Sequence, residues 1–271
     1  MTRLLQHTVS PQLKATLSYY TPGSMMPAHR HDHAQLSVLL SGGLREQTEQ
    51  SAVDIATPGL CFKPQHILHS DQYGAQGTLI FSFSLSPELI TQFDKITSPR
   101  YQWQSRHTAG SRAGQASYLQ ALYHCQLDTL HDLFWDTLGE CGIPQHTVRE
   151  RQRPDWLVRA KKLLEEAEQP VSLSELATLQ GIHPVYFSRA FKKYFHISAS
   201  AYQQQLQLSK ALRSMTQGLP LSDSAFHAGF SDQSHMSRAM KSRLGLSPGK
   251  LQKLFQAKQV KSVQYSTKSA S

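Results

Sequence analysis

Cysteines are few in this sequence and long apolar runs are lacking, and both absences exclude protein classes. The three cysteines lie far apart without a CxxC pair, which argues against a disulfide framework and against a zinc ribbon. No run reaches the roughly 18 apolar residues that a membrane-spanning helix needs, and the N-terminus lacks the apolar core of a secretory signal. We therefore expect a cytoplasmic protein with reduced cysteines and with no segment that spans or targets a membrane.

Charge is unevenly distributed along the chain. Residues 1–150 carry 10 Lys and Arg against 12 Asp and Glu, whereas residues 151–271 carry 18 against 7. The second part, with a net charge of +11, is suited to a polyanionic partner, either nucleic acid or an anionic membrane surface. Charge alone does not choose between these two partners.

The N-terminal region has the pattern of short strands. Between residues 15 and 84, brief apolar runs such as LSVLL alternate with Gly, Pro and Ser, which predicts a small β-barrel or sandwich. From Ser117 to Gly139 the apolar residues recur every three or four positions, which predicts one long amphipathic helix. We expect its apolar stripe to pack either on the barrel of its own chain or against the same helix of a second subunit. The stripe consists of Leu119, Leu122, Tyr123, Gln126, Leu130, Leu133, Phe134 and Leu138.

An internal repeat occupies much of the C-terminal third. Residues 172–198 and 220–247 align at an offset of 48 residues before a glycine turn and 49 residues after it, and a fixed offset indicates a duplicated structural unit. Each copy predicts two helices joined by a tight turn, in which Gly181 or Gly229 supplies the positive φ that ends the first helix. In the second copy we expect Ser231 to cap the helix that follows.

The second helix of each copy is predicted to bury apolar residues and to expose polar and basic ones. An exposed face of this kind can read base edges and neutralise phosphates in a major groove of DNA. A helix predicted from Ala201 to Thr216 joins the two copies. The exposed candidates are Val185, Ser188, Arg189 and Lys192 in the first copy, and Gln233, Ser234, Ser237, Arg238 and Lys241 in the second.

The segment from about Asp155 to Leu254 resembles the DNA-binding domain of the AraC/XylS family of bacterial transcription regulators. Its second half, AFHAGFSDQSHMSRAMKSRLGLSP, is similar to the signature of that family. The resemblance implies that Lys192 and Lys241 contact phosphates and that the other candidates of the two exposed faces approach bases. The chain departs from the family pattern at His196 and Ala199, where Gly and Pro are usual, and at Gln207, where Arg is common.

The N-terminal histidines resemble the two short motifs of the cupin barrel, which is the usual N-terminal partner in the AraC/XylS family. The resemblance implies that His29, His31, Gln35 and His69 line the barrel, and in metal-binding cupins these positions hold a divalent ion. Because Gln35 stands where those cupins have Glu, and a neutral amide is a poor ligand, no metal is assigned. Three alternatives stay open: a pocket for a small effector, a metal site, and structural or surface histidines.

The fold class expected is multidomain α+β. An N-terminal cupin-like β-barrel with appended helices is followed by an all-α domain with two helix-turn-helix units joined by a linking helix. The expected boundaries are 1–90 for the barrel, 91–143 for a helical segment that is a candidate for dimerisation, 144–154 for a linker, 155–255 for the DNA-binding domain and 256–271 for a flexible basic tail.

The function expected is that of a sequence-specific transcription regulator. We expect it to bind double-stranded promoter DNA and a small effector as a homodimer, with RNA polymerase as a further candidate partner, and with no membrane partner and no cofactor. No nucleophile–base pair, P-loop or paired carboxylates are legible in the sequence, so no catalytic residue is assigned. Two alternatives remain: a metal-dependent cupin enzyme fused to a DNA-binding module, and a non-specific nucleic-acid or interaction protein.

Overall fold

The computed structural model describes residues 3–55, 59–94, 102–105, 110–141, 153–195 and 197–256. These residues form two compact units. One unit contains the described residues up to 141 together with those from 238 onward, and the other contains residues 153–237. All but one of the described antiparallel strands precede the described helices along the chain, which confirms the predicted α+β fold class.

Antiparallel strands make up most of the first unit. A six-stranded sheet has the order β1-β2-β9-β4-β7-β10, and a four-stranded sheet has the order β3-β8-β5-β6. Strands β5 and β8 bury alternate residues, as the period of two predicts, whereas β7 is buried along its whole length. The strands are β1 Arg3–Ser10, β2 Leu13–Tyr20, β3 Met25–His29, β4 Ala34–Ser41, β5 Leu44–Thr48, β6 Ala52–Ile55, β7 Gly59–Lys63, β8 His69–Tyr73, β9 Thr78–Leu85 and β10 Gln102–Ser105.

Helices α1 (Pro87–Asp94), α2 (Gly110–Tyr123) and α3 (Leu127–Cys141) follow the sheets. The prediction of one unbroken helix from Ser117 to Gly139 is wrong, because the chain turns between α2 and α3 at Cys125, which has a left-handed φ of 52°. Gln126, expected in the apolar stripe, is exposed in this turn. The segment 91–143, which was expected to be helical, also contains β10, which pairs with β7.

The apolar stripe of α2 and α3 packs on the barrel of its own chain. The ring of the stripe residue Phe134 lies 5.4 Å from that of Phe83, and the ring of Tyr118, next to the stripe residue Leu119, lies 5.0 Å from that of Phe81. Leu119, Leu122, Leu130 and Leu138 are also buried. The buried residues of the stripe are therefore covered by the barrel of the same chain, which is one of the two arrangements expected.

The remaining helices range from 7 to 18 residues in length, and several of them bury aromatic residues. In the second unit the ring of Phe191 lies 5.8 Å from that of Phe187 and 5.7 Å from that of Tyr202. Among the described residues no helix is both long and apolar enough to cross a membrane. The helices are α4 Asp155–Glu166, α5 Leu173–Leu179, α6 Pro184–Phe195, α7 Ala199–Thr216, α8 Leu221–His227, α9 Gln233–Leu244 and α10 Pro248–Gln256.

The predicted domain boundaries remain predictions. Most of the expected linker at 144–154 and residues 257–271 of the expected tail lie outside the described residues. The division into compact units differs from the expected DNA-binding domain at 155–255, because residues from 238 onward pack within the first compact unit. There the Gln120 amide donates to the Gly245 carbonyl at 3.0 Å, and the ring of Phe255 lies 5.9 Å from that of Tyr19.

Candidate nucleic-acid interface and barrel cluster

Helices α5 and α6 form the first helix-turn-helix unit. Ser172 caps α5, because its hydroxyl accepts a hydrogen bond from the Glu175 amide at 3.3 Å. Gly181 has a φ of 67°, and the amide of Ile182 donates to the Ala177 carbonyl at 2.9 Å. This backbone closure satisfies a carbonyl at the end of α5 and directs the chain into α6.

Helices α8 and α9 repeat this arrangement. Gly229 has a φ of 76°, and the amide of Phe230 donates to the Ala225 carbonyl at 3.0 Å. The cap of α9 is Asp232 instead of the expected Ser231, because an Asp232 carboxylate oxygen accepts from the His235 amide at 2.7 Å. Both copies therefore have a left-handed glycine at the turn, as the repeat predicted.

The outer faces of α6 and α9 hold the residues that the sequence singled out. In α6 the predicted residues are exposed, whereas Phe187 and Phe191 are buried. In α9 the predicted residues are exposed except Ser237, which is half-buried, whereas Met236 and Met240 are buried. The exposed residues are Val185, Ser188, Arg189 and Lys192 on α6, and Gln233, Ser234, Arg238 and Lys241 on α9.

Helix α7, which joins the two helix-turn-helix copies, begins two residues earlier than predicted. The Ser198 hydroxyl caps it by accepting from the Ala201 amide at 3.2 Å. Ala199 is buried in its first turn, and His196 lies outside the described residues. Gln207, noted in the sequence as a departure from Arg, donates its amide to the Gly229 carbonyl at 2.7 Å. The linking helix thereby contacts the turn of the second helix-turn-helix copy.

A cluster of three histidines occupies the first unit. His29 ends β3, His69 begins β8, and the two residues are partners in the antiparallel ladder. The ring of His31 lies 4.8 Å from that of His29 and 5.1 Å from that of His69, and the rings of His29 and His69 are 4.4 Å apart. The amide of His66 donates to the His31 carbonyl at 2.9 Å, which fixes the loop that carries His31.

Backbone carbonyls orient two of these rings. Nδ1 of His29 lies 2.9 Å from the Pro27 oxygen and Nδ1 of His69 lies 3.0 Å from the Ile67 oxygen. A carbonyl only accepts, so Nδ1 donates in both rings and Nε2 keeps its lone pair. The Nε2 atom of His69 is buried and has no hydrogen-bond partner among the described residues.

The electrostatic environment keeps the three imidazoles neutral. Burial lowers the pKa of His29, lowers that of His31 to about 3 and lowers that of His69 to about 4. The nearby Lys63 ammonium lowers all three pKa values further. Neutral imidazole is the form that ligates metals or accepts a hydrogen bond.

Three charged side chains that the sequence did not single out lie beside the histidines. Lys63 of β7 forms a buried ion pair with Glu46 of β5, and the Trp103 indole donates to the second Glu46 oxygen at 2.7 Å. Burial alone would lower the pKa of Lys63, but Asp71 and Glu46 outweigh it and the pKa is raised. Burial raises the pKa of Asp71 to about 7, against the opposing effect of Lys63.

The histidine cluster fits the divalent ion that the cupin resemblance implies. One nitrogen from each of His29, His31 and His69 lies within 4.8 Å of the others, and the Nδ1 hydrogen bonds are those that orient metal-bound imidazoles. Gln35 is half-buried and opposes Lys63 in the sheet. A neutral amide at this position leaves a bound dication without charge compensation.

Two glycine-hinged helix pairs with exposed polar and basic second helices, in one chain with a cupin-like barrel, define a DNA-binding transcription regulator. Residues 176–254 match the family model described as a helix-turn-helix domain. The chain is 34% identical over 229 residues to the uncharacterized HTH-type transcriptional regulator YbfI of Bacillus subtilis, and the match covers 78% of this chain and 81% of YbfI. The chain belongs to the AraC/XylS family of transcription regulators.

Solved structures that the chain matches include ToxT from Vibrio cholerae. The match has a TM-score of 0.38 and 9% identity, and it covers 92% of this chain and 100% of that one. A cupin superfamily protein from Desulfitobacterium hafniense matches with a TM-score of 0.30 and 13% identity, and covers 32% of this chain and 78% of that one. Membership of the family therefore rests on the sequence similarity to YbfI and not on these structures.

Proposed function

We propose that the outer faces of α6 and α9 bind the major groove of promoter DNA and read its sequence. The observation that carries this proposal is the repeated Ser-Arg pair, Ser188-Arg189 and Ser237-Arg238, which occupies the fifth and sixth positions of α6 and of α9. Both arginines are exposed, and arginine forms bidentate hydrogen bonds with guanine.

The remaining exposed side chains divide by their chemistry. Gln233 and Ser234 begin α9, where a recognition helix places its base-reading residues. In α6, Val185 holds the position that matches Ser234, and Ser188 holds the position that matches Ser237. Ser237 lies at the border of the same face. Lys192 and Lys241 are point charges near the ends of their helices and are assigned to phosphates.

The barrel is proposed to bind a small effector that alters the affinity of the chain for DNA. His29, His31, Gln35 and His69 are the proposed contacts. The support is the cluster of three histidines with Lys63, Glu46 and Asp71 beside it, because a site that binds a small molecule places a few polar groups among apolar ones. The proposed role is binding without turnover, in agreement with the name of the relative YbfI as a transcriptional regulator.

Further partners follow from binding at a promoter in the cytoplasm. A homodimer is proposed, because paired half-sites are read by paired subunits. Leu127 and Trp135 lie on the outer side of α3 with 42% and 39% of their surface exposed, and they are candidates for a subunit contact. RNA polymerase, which also occupies the promoter, is the other proposed partner.

Retardation of DNA by the purified full chain tests the proposal. Genomic fragments are screened at low salt, and a retained fragment is compared with a shuffled sequence while salt is raised. Selective retention is expected. Failure to retard any fragment would overturn the proposal, and equal retention of all sequences would favour the non-specific alternative.

A thermal-shift screen of the full chain tests the effector role. The full chain is required because residues from 238 onward belong to the same compact unit as the barrel. Sugars, aromatic acids, amines and divalent metals are added singly, and a ligand that binds the folded state raises the melting temperature. A stabilising compound that also changes DNA retention supports the role, and a compound that is chemically converted favours the enzyme alternative.

A further inference from the structure

We propose that Val185 reads thymine in the DNA bound by α6, by contact of its methyl groups with the C5-methyl group of the base. The matched position of α9 holds Ser234, so the second helices of the two copies read different bases at this point. The inference rests on the proposed function of the two outer faces, and it names the base that one of them takes.

Val185 lies in the first turn of α6, in the middle of its outer face. The Val185 amide donates to Nδ1 of the His183 side chain at 3.3 Å, which fixes the backbone where the helix begins. Arg189 follows four positions later and therefore lies on the same side of the helix, whereas Phe187 and Phe191 are buried on the other side. A groove that receives the Arg189 guanidinium thus also receives the Val185 side chain.

An exposed valine at this position is unfavourable for the helix itself. Val185 is 53% exposed, so its side chain gains little from burial within the chain, and a β-branched residue also lowers the stability of a helix. Tyr186 is exposed as well, but its ring lies 6.1 Å from that of Trp156 in α4 and so has an aromatic neighbour within the chain. An apolar contact in bound DNA would compensate for the exposure of Val185.

The chemistry of the major groove offers one partner for such a side chain. The base edges present hydrogen-bond donors and acceptors there, and the C5-methyl group of thymine is their apolar group. The valine side chain has no donor or acceptor. Any other base at this place would lose hydrogen bonds to water without gaining any from the protein, so Val185 favours thymine over the other bases.

Helix α9 has different chemistry at the matched place. Arg238 follows Ser234 by four positions, as Arg189 follows Val185. The Ser234 hydroxyl can donate to or accept from several bases, and the amide of the preceding residue, Gln233, suits adenine. The two copies therefore share the arginine and differ in the residue one turn before it, and we expect the two bound sequences to differ accordingly.

Uracil substitution in bound DNA tests the inference, because uracil lacks only the C5-methyl group of thymine. The full chain selects its preferred duplex from a random-sequence library, and each thymine of that duplex is then replaced singly by uracil. We expect at least one replacement to weaken binding by about fourfold, the change that the loss of one buried methyl group predicts. With Val185→Ser the same replacement is expected to change binding by less than about 1.5-fold, because the two changes remove the same contact. Ser234→Ala, at the matched position of α9, is the control and keeps the full effect of uracil.

A selected duplex in which no uracil weakens binding, or an effect of the same size with Val185→Ser, overturns the thymine assignment alone and leaves sequence reading by the chain standing. Failure to enrich any sequence from the library overturns the proposed function and the inference with it. Circular dichroism shows whether each variant is folded. If Val185→Ser does not fold, Val185→Asn takes its place and is judged by the same criteria.

Discussion

Lys63 and Glu46 form a buried ion pair that joins the two sheets of the barrel. Lys63 belongs to β7 of the six-stranded sheet and Glu46 to β5 of the four-stranded sheet. Their side chains are 8% and 0% exposed. Such a pair adds little stability compared with apolar side chains of similar size, but the loss of one partner leaves an uncompensated charge in the interior.

The substitution Lys63→Met is therefore expected to destabilise the protein by about 3–5 kcal/mol, because Glu46 loses its counter-charge. Urea unfolding in the presence of a chelator measures the change. Adding Glu46→Leu to Lys63→Met is expected to recover much of the loss. Arg45→Met, which breaks the exposed pair with Asp54 at 3.9 Å, is the control and costs less than about 1 kcal/mol. A cost for Lys63→Met no larger than that of the control would contradict the prediction.

The two turn glycines predict unequal penalties for the same substitution. Both have a positive φ, so alanine at either position costs about 1–2 kcal/mol in backbone conformation. At Gly181 a Cβ meets nothing within 4 Å, whereas at Gly229 it would lie 2.3 Å from Cδ of Pro170. Gly229→Ala is therefore expected to cost about 1–3 kcal/mol more than Gly181→Ala. Equal shifts of the urea midpoint for the two variants would show that this contact relaxes freely.

The hydrogen bond from Gln207 to the Gly229 carbonyl makes a third prediction. Gln207→Leu removes the donor and leaves a turn carbonyl without it, at a cost of about 1–3 kcal/mol. Gln207→Arg restores an N–H donor of the kind common in the family and is expected to cost less. The melting temperatures of both variants are compared with that of the wild type. Equal losses of stability for Gln207→Arg and Gln207→Leu would contradict the prediction.

The helical units could be predicted from the sequence because their determinants are local. The glycine turns, the Ser172 cap and the linking helix depend on residues within about four positions of one another. The break between α2 and α3 escaped prediction, since the apolar stripe continues on both sides of Cys125. No glycine or proline marks that turn.

The barrel cluster could be predicted only in part. The histidines were found by their motif, but their convergence depends on the pairing of β3 with β8, across 40 residues of chain. Glu46 and Asp71 resemble solvent-facing charges when they are read singly. One signal was available: Glu46 is two positions from Leu44 in β5, and alternation places both on the buried face. Their partners come from other strands, which a local pattern does not specify.

Binding to DNA gives the last prediction, which separates base reading from phosphate contact. Arg238→Ala is expected to cost about 1–3 kcal/mol on the preferred site and to relax specificity there. Lys192→Ala is expected to weaken binding to all sequences alike and to lower the salt slope by about one. Lys162→Ala, which removes an exposed lysine of α4 paired with Glu166, is the control for net charge. Affinities for cognate and shuffled DNA over a range of salt decide the matter, because equal losses on both sequences for both variants would refute the division of roles.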